Sequence, residues 1–196
     1  MTYITAADVK QHLGQNTPTT EDDLISDLID QAQAVIESYC GGKPPRKRIF
    51  EASGDTTRTY NALGDVIGST LYLHTDICAV TTVSNNGSTV SAANYKLLSD
   101  NVPNAAPYNR IKLLSTTWGY TTNPEDAASI TGRFAYSTTP PNDIKLACIE
   151  LVIAAFRQRD TVAGVFAAMT GENGAVMFPD GMPKRVIDKL EPYVWR

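Results

Sequence analysis

Apolar residues recur with a helical period at both ends of the chain and in short strand-like runs between them. Ala6, Val9 and Leu13 are spaced by three and four, which predicts a short helix with one apolar face. Thr5 stands where its cap belongs, Asp8 supplies the acidic half of a capping box, and Gly14 ends it. A longer helix follows, with Leu24, Ile25, Leu28, Ile29, Ala32, Val35, Ile36, Tyr39 and Cys40 on its apolar stripe. Thr20 is the expected N-cap, and Glu21, Asp22 and Asp23 suit the positive end of the helix dipole. Gly41 and Gly42 close it.

Paired prolines at 44 and 45 prevent that helix from continuing, and the texture then changes. From Arg48 to about Ser137 the chain offers β-favouring runs broken by Gly, Asn, Asp and Pro. They are Ile49 to Glu51, Arg58 to Tyr60, Leu71 to Leu73, Ala79 to Val83, Tyr95 to Leu98, Ile111 to Leu114 and Ser129 to Tyr136. Asn85-Asn86-Gly87 predicts a tight hairpin, because Asn-Gly tolerates the positive φ angles of a type I′ turn. Asp100 to Arg110, with Pro103 and Pro107, is expected to be a loop.

Helix returns after Pro140 and Pro141, with Asn142 as expected cap of a segment from Asp143 to about Asp160. Ile144, Leu146, Ala147, Cys148, Ile149, Leu151, Val152, Ile153, Ala154, Ala155 and Phe156 make it apolar on nearly every side. Such a helix must be enclosed by neighbours, so it is predicted to centre the core. Thr161 to Met182 is Gly- and Ala-rich and predicts a long loop that orders on assembly; Pro183 opens a last helix through Leu190, followed by an aromatic tail at Tyr193 and Trp195. The fold class is therefore α+β: an α-helical core of about four helices, residues 1–42 and 142–196, with an inserted antiparallel β-rich module, residues 46–138.

Composition narrows the function. A length of 196 residues with 42% hydrophobic content is enough to bury a core, which argues against a disordered tail. The net charge of −4 supplies no general field for nucleic acid. Lys43, Arg46, Lys47 and Arg48 form the one local cationic run, read as a solvated linker rather than a phosphate-binding patch. The first ten residues lack a signal-peptide pattern, and the longest apolar run, Leu146 to Phe156, contains Glu150 and falls short of the ~20 residues that span a bilayer. Synthesis in the cytoplasm without membrane insertion is expected, and the odd, unpatterned cysteines Cys40, Cys78 and Cys148 fit a reducing compartment.

Chemistry is sparse. His12 and His74 have no metal-ligand spacing, His12 reading as solvated and His74 as closing a strand end. The acidic cluster Glu21, Asp22, Asp23, Asp27 and Asp30 is accounted for by the helix dipole, and no nucleotide-binding or nucleophile-elbow motif occurs. No enzyme activity, metal or cofactor is expected.

Several stretches, in order, resemble the head-tail connector (adaptor or head-completion) proteins of tailed bacteriophages. Tyr3 to Lys10, followed by Asp22 to Ile25 and the helix to Ile36-Glu37-Ser38-Tyr39-Cys40-Gly41, is similar to that family's opening helical pair. Tyr95-Lys96-Leu97-Leu98 and Pro107-Tyr108-Asn109-Arg110-Ile111-Lys112-Leu113 look like its β-insertion pattern. Ile130 to Ser137, leading through Pro140-Pro141 into Ile144 to Cys148, resembles its strand-to-helix return, although the family more often has Gly where Ala135 stands. Leu190-Glu191-Pro192-Tyr193 with Arg196 is similar to its ending, from which Val194-Trp195 departs.

The resemblance implies a structural subunit of the virion, made in the host cytoplasm, monomeric when isolated and assembling into a ring, commonly of twelve. The ring would dock to the portal, meet a tail-side connector or stopper protein, and leave a channel through which DNA passes without sequence-specific binding. Lys184, Arg185, Ile187, Leu190, Tyr193, Trp195 and Arg196 are the expected portal-facing residues, since aromatic and Arg side chains carry interface hot spots. Glu21, Asp22, Asp23, Asp27 and Asp30 are the expected channel-facing acids. On this reading, deleting 183–196 removes portal binding and leaves the monomer folded. The rival reading is a β-module binding protein of a phage tail, using the Thr/Asn/Tyr-rich insertion for a glycan or protein ligand.

Overall fold

The helices form where caps and apolar period coincide. Helix α1 (Ala6–Leu13) begins with the predicted capping box: the Asp8 amide donates to Thr5 Oγ1 at 3.3 Å and the Thr5 amide to Asp8 Oδ2 at 2.7 Å. Helix α2 (Asp22–Cys40) buries Ile25, Ile29, Ala32, Ile36 and Cys40, one stripe at offsets of three and four. Its start differs from expectation. Thr20 lies inside a 3₁₀ turn, Thr19–Glu21, so the cap position falls on Glu21, whose backbone is already helical and whose side chain makes no capping bond.

The structure is a computed structural model that describes residues 2–14, 19–42, 46–100, 105–159 and 182–195. The chain divides into two units, residues 1–47 with 140–196, and residues 48–139. In the helical unit, α3 (Asn142–Arg159) packs against α1, α2 and α4 (Lys184–Leu190). Asn142 is the first helical residue rather than the cap, and the Pro141 carbonyl accepts from the Lys145 amide at 3.1 Å. Ile144, Ala147, Cys148, Leu151 and Val152 are wholly buried, and burial pushes the Cys148 thiol up to about 12. The enclosure is incomplete on one side, where Leu146 is 41% exposed. Nearly all of the predicted Thr161 to Met182 loop lies outside the described residues.

Among its described residues the inserted unit holds eight strands: β1 (Thr56–Tyr60), β2 (Val66–Ile67), β3 (Thr70–Ile77), β4 (Ala79–Asn85), β5 (Ser88–Thr89), β6 (Tyr95–Leu98), β7 (Tyr108–Leu113) and β8 (Ala128–Arg133). They form two antiparallel four-stranded sheets, ordered β1-β8-β4-β5 and β2-β3-β7-β6. Leu71, Leu73, Ile77, Ile111 and Leu113 from one sheet join Tyr60, Val83, Ala128 and Ile130 from the other in a single apolar cluster. Asn86 and Gly87, at φ 48° and 77°, make the predicted turn between β4 and β5. The predicted loop before β7 is shorter than expected, because Tyr108 to Arg110 pair with β3 and β6.

Two readings are corrected in β3. His74 does not close a strand end but sits inside the strand at φ 54°, where the pairing with β7 shifts register between Tyr72 and Ile77. Beyond the shift both Asp76 and Ile77 are buried. Asp76 meets Arg48, which is not a solvated linker residue: the Arg48 Nε donates to Asp76 Oδ2 at 2.6 Å, and Arg48 is 2% exposed. Burial raises the Asp76 pKa and the Arg48 guanidinium opposes the rise.

Replacing Arg48 by Ala leaves a buried carboxylate without this partner, which costs about 3–5 kcal/mol, whereas an Arg48→Met, Asp76→Leu pair restores most of it. Urea unfolding of both variants checks this, and a loss under about 1 kcal/mol for Arg48→Ala would contradict it. The capping box gives a pH dependence of the opposite sign. Asp8 is lowered by the Thr5 amide and then by the Thr5 hydroxyl, so its contribution is full above the ordinary carboxylate pKa of about 3.9 and fades as pH falls through the lower folded value. An Asp8→Asn variant is expected to lose that part of the acid dependence in a pH series of melting temperatures.

Candidate functional site

The C-terminal segment is held by backbone as much as by side chains. On α4, Val186 and Leu190 are wholly buried, and a 3₁₀ turn, Glu191–Tyr193, follows. The Trp195 amide then donates to the Cys40 carbonyl at 2.9 Å, filling one of the acceptors that the end of α2 leaves open. Gly42, at φ 76°, lets the two backbones approach this closely, since a Cβ there would stand 2.7 Å from the Trp195 carbonyl oxygen. The tail therefore completes the helical unit.

This arrangement divides the predicted portal-facing residues. Lys184 and Arg185 are exposed, while Ile187, Tyr193 and Trp195 are half-buried. Leu190 is 0% exposed and belongs to the core, because the residues at 186 and 190 share the inward face of α4. Arg196 lies outside the described residues. The structure adds Glu150, the acid in the apolar run of α3, which pairs with Lys189 at 2.6 Å and Arg185 at 3.1 Å. A lone acid in an apolar helix followed by a basic helix was the available signal.

Among the predicted acids, Asp22 forms an ion pair with Lys10 and Glu21 is half-buried. Asp23, Asp27 and Asp30 are exposed at offsets of four and three, a single stripe on a helix that contains no Lys or Arg. No group of three or more His, Cys, Asp or Glu among the described residues could hold a metal ion, and no helix among them is long and apolar enough to cross a membrane.

His12 is exposed, with Nδ1 2.9 Å from the Asp8 carbonyl oxygen. His74 does have a carboxylate neighbour, Asp65 at 3.0 Å, but its side chain is 53% exposed at the surface of the bulge, not in a pocket. Of the basic run, Arg46 and Lys47 are exposed, and Lys43 lies outside the described residues. The inserted unit carries an open cleft of about 650 Å³ between the β4–β5 turn and residues 115–120, which no sequence motif marked.

A family model for head completion proteins matches residues 2–194. The chain belongs to the head completion protein family. The role that goes with this membership is structural, at the junction of head and tail, as the sequence resemblance implied. No curated protein matches this head completion protein in sequence. Its fold is similar to a chain from the neck of an empty gene transfer agent particle computed with C6 symmetry, at 19% identity over 99% of this chain and 91% of that one, TM-score 0.55. A chain from the neck of a native particle computed with C12 symmetry is 18% identical over 97% and 88%, TM-score 0.54. A third, from the virion of a native gene transfer agent particle, is 17% identical over 99% and 91%, TM-score 0.51.

The buried half of α4 changes what truncation does. Deleting 183–196 from this head completion protein removes Val186 and Leu190 from the core, so the truncated monomer is expected to lose stability rather than stay folded unchanged. Leu190→Ala alone is expected to cost about 2–5 kcal/mol. Thermal unfolding by circular dichroism checks both, and a truncated chain melting like the full one would refute this.

Proposed function

We propose that this chain is one subunit of a ring in the neck of a phage-like virion, commonly of twelve copies, docked to the portal and leaving a passage for DNA. The observation that carries the reading is the family match over nearly the whole chain, 2–194. The shared fold with chains from necks computed with C6 and C12 symmetry supports it. A closed ring uses head-to-tail contacts, in which one surface of a subunit meets a different surface of the next. The partners are further copies of this chain, the portal, and a connector or stopper on the tail side. The isolated chain is a monomer in the host cytoplasm until assembly.

Within that reading, Lys184, Arg185, Ile187, Tyr193 and Trp195 form the portal contact, with Arg196 beyond the described residues. Support comes from the way Val186 and Leu190 fix α4 to the core while Lys184 and Arg185 point to solvent. A surface fixed before binding loses less conformational entropy on docking. The stripe Asp23, Asp27 and Asp30 suits the wall of the passage, where like charge keeps phosphates from adhering.

A Lys184→Glu, Ile187→Asp variant changes only exposed and half-buried positions. It is expected to melt within a few degrees of the parent and to bind portal about tenfold or more weakly. A folded variant with unchanged portal binding removes α4 from the contact. Electron micrographs of the chain mixed with portal test the ring itself, and portals without stacked rings would remove that too.

A further inference from the structure

Exposed large apolar side chains are concentrated in one part of the inserted unit. Of six among the described residues, Leu63, Ile67, Leu114 and Tyr120 all lie at the end of the two sheets where β1 stops, β2 and β3 turn, and β7 stops. Leu63 and Ile67 are the most exposed, at 69% and 70%. Exposed apolar side chains gathered at one end of a polar unit mark a place of association.

Leu63 is not on a loose loop. Asn61 Oδ1 accepts from the Leu63 amide at 2.7 Å and the Gly64 amide at 3.3 Å. The Asp65 amide returns to the Asn61 carbonyl at 2.9 Å, and the Ala62 amide donates to the Pro124 carbonyl at 2.8 Å. The Asn61 amide donates to Asp65 Oδ2 at 2.8 Å, and His74 stands 3.0 Å from the other Asp65 oxygen. The result is a preformed knuckle with a leucine at its tip and its one carboxylate already engaged.

The cleft lies at the same end but the opposite edge. The knuckle joins β1 to β2, the first strands in the orders β1-β8-β4-β5 and β2-β3-β7-β6, whereas Val90 and Asn94 line the cleft on the segment joining β5 to β6, the last strands. Asn85 and Asn86, which also line the cleft, end β4, two strands or roughly 10 Å from β1, so one copy's knuckle and cleft are separate surfaces. No charged residue lines the cleft, and Val90 and Tyr120 give it apolar surface. Asn85 and Asn86 are not left to read a sugar. Asn85 holds the Thr117 carbonyl and the Gly119 amide, both at 3.0 Å, and Asn86 holds Thr121 Oγ1 at 2.6 Å and the Thr121 amide at 3.1 Å.

The geometry points to a contact between copies of this chain, in which the Leu63–Ile67 knuckle of one seats in the Val90–Tyr120 cleft of the next. Apolar knuckle and uncharged cleft can meet without burying an unpaired charge. Because the two surfaces differ, the contact propagates head to tail, as ring closure requires. The inference rests on the ring reading and names the surfaces that would build it.

The test places a photoreactive p-benzoylphenylalanine at 63 (Leu63→Bpa) in the full chain, irradiated alone and with portal, with mass photometry recording the oligomer. A Leu63→Asp, Ile67→Asp variant is measured beside it. Expected are cross-links from position 63 of one copy to residues 85–120 of another, and at least about a tenfold loss of oligomer in the double variant at unchanged circular dichroism. Rings whose cross-links fall elsewhere, or join 63 to 63, overturn the inference and leave the ring reading standing. A chain that stays monomeric in both conditions overturns both.

Discussion

An ion pair buried in the inserted unit fixes the path on which the rest of that unit depends. Arg48 is its first residue, and its guanidinium reaches Asp76 at the end of β3 while lying 5.0 Å from the ring of Tyr136, near the unit's last residues. The Tyr136 amide donates to the Ile49 carbonyl at 2.8 Å, and the Ala52 amide to the Ser137 carbonyl at 3.3 Å. One side chain thus ties together the outgoing chain, the middle of the insertion and its return. An insertion must bring its two ends side by side, and these bonds do so inside the β unit. The net stability of a buried pair is modest because desolvation nearly cancels attraction, but its cost when mispaired selects one register of β3 over others. The bulge at His74 lies next to this pair, between the pairing of Leu71 with Ile111 and that of Ile77 with Tyr108.

Much of this was legible in the residues, for local reasons. The capping box at Thr5 and Asp8, the stripe from Ile25 to Cys40 and the Asn86-Gly87 turn each depend on neighbours within a turn or two. The order of helices and strands followed from those signals, and the family from the ordered stretches that resemble it. What was not legible depended on partners far along the chain. Arg48 read as one cation among four, and only folding brings in Asp76, 28 residues away. Thr20 had the right chemistry for a cap, but the preceding turn is 3₁₀ and moves the helix start by one residue. Leu190 and Trp195 looked alike as aromatic or apolar tail residues, yet one fills the core and the other lends its amide to α2.

The C-terminal segment shows why a surface role and a core role are hard to separate by composition. Alternate faces of α4 do different work, with Val186 and Leu190 inward and Lys184 and Arg185 outward. Glu150 couples the two, because its pairs with Lys189 and Arg185 orient the helix through groups that remain partly in water. Such pairs add little to stability on their own, but they set the direction in which the exposed cationic side of α4 is presented.

The two units expose different kinds of surface, and the difference has consequences for assembly. The helical unit shows charge, an acidic stripe on α2 and a cationic face on α4, which acts at a distance and weakens with salt. The end of the inserted unit shows apolar residues and an uncharged cleft, which act only in contact and are largely indifferent to salt. In the ring proposed above, a subunit gains from this separation. Charge brings copies and partners together in a preferred orientation, and the apolar contact slows their departure once the register is right. With two exposed apolar side chains on the knuckle, Leu63 and Ile67, a single such contact would be weak and reversible. Closure of the proposed ring, with every knuckle seated at once, is what would make it last.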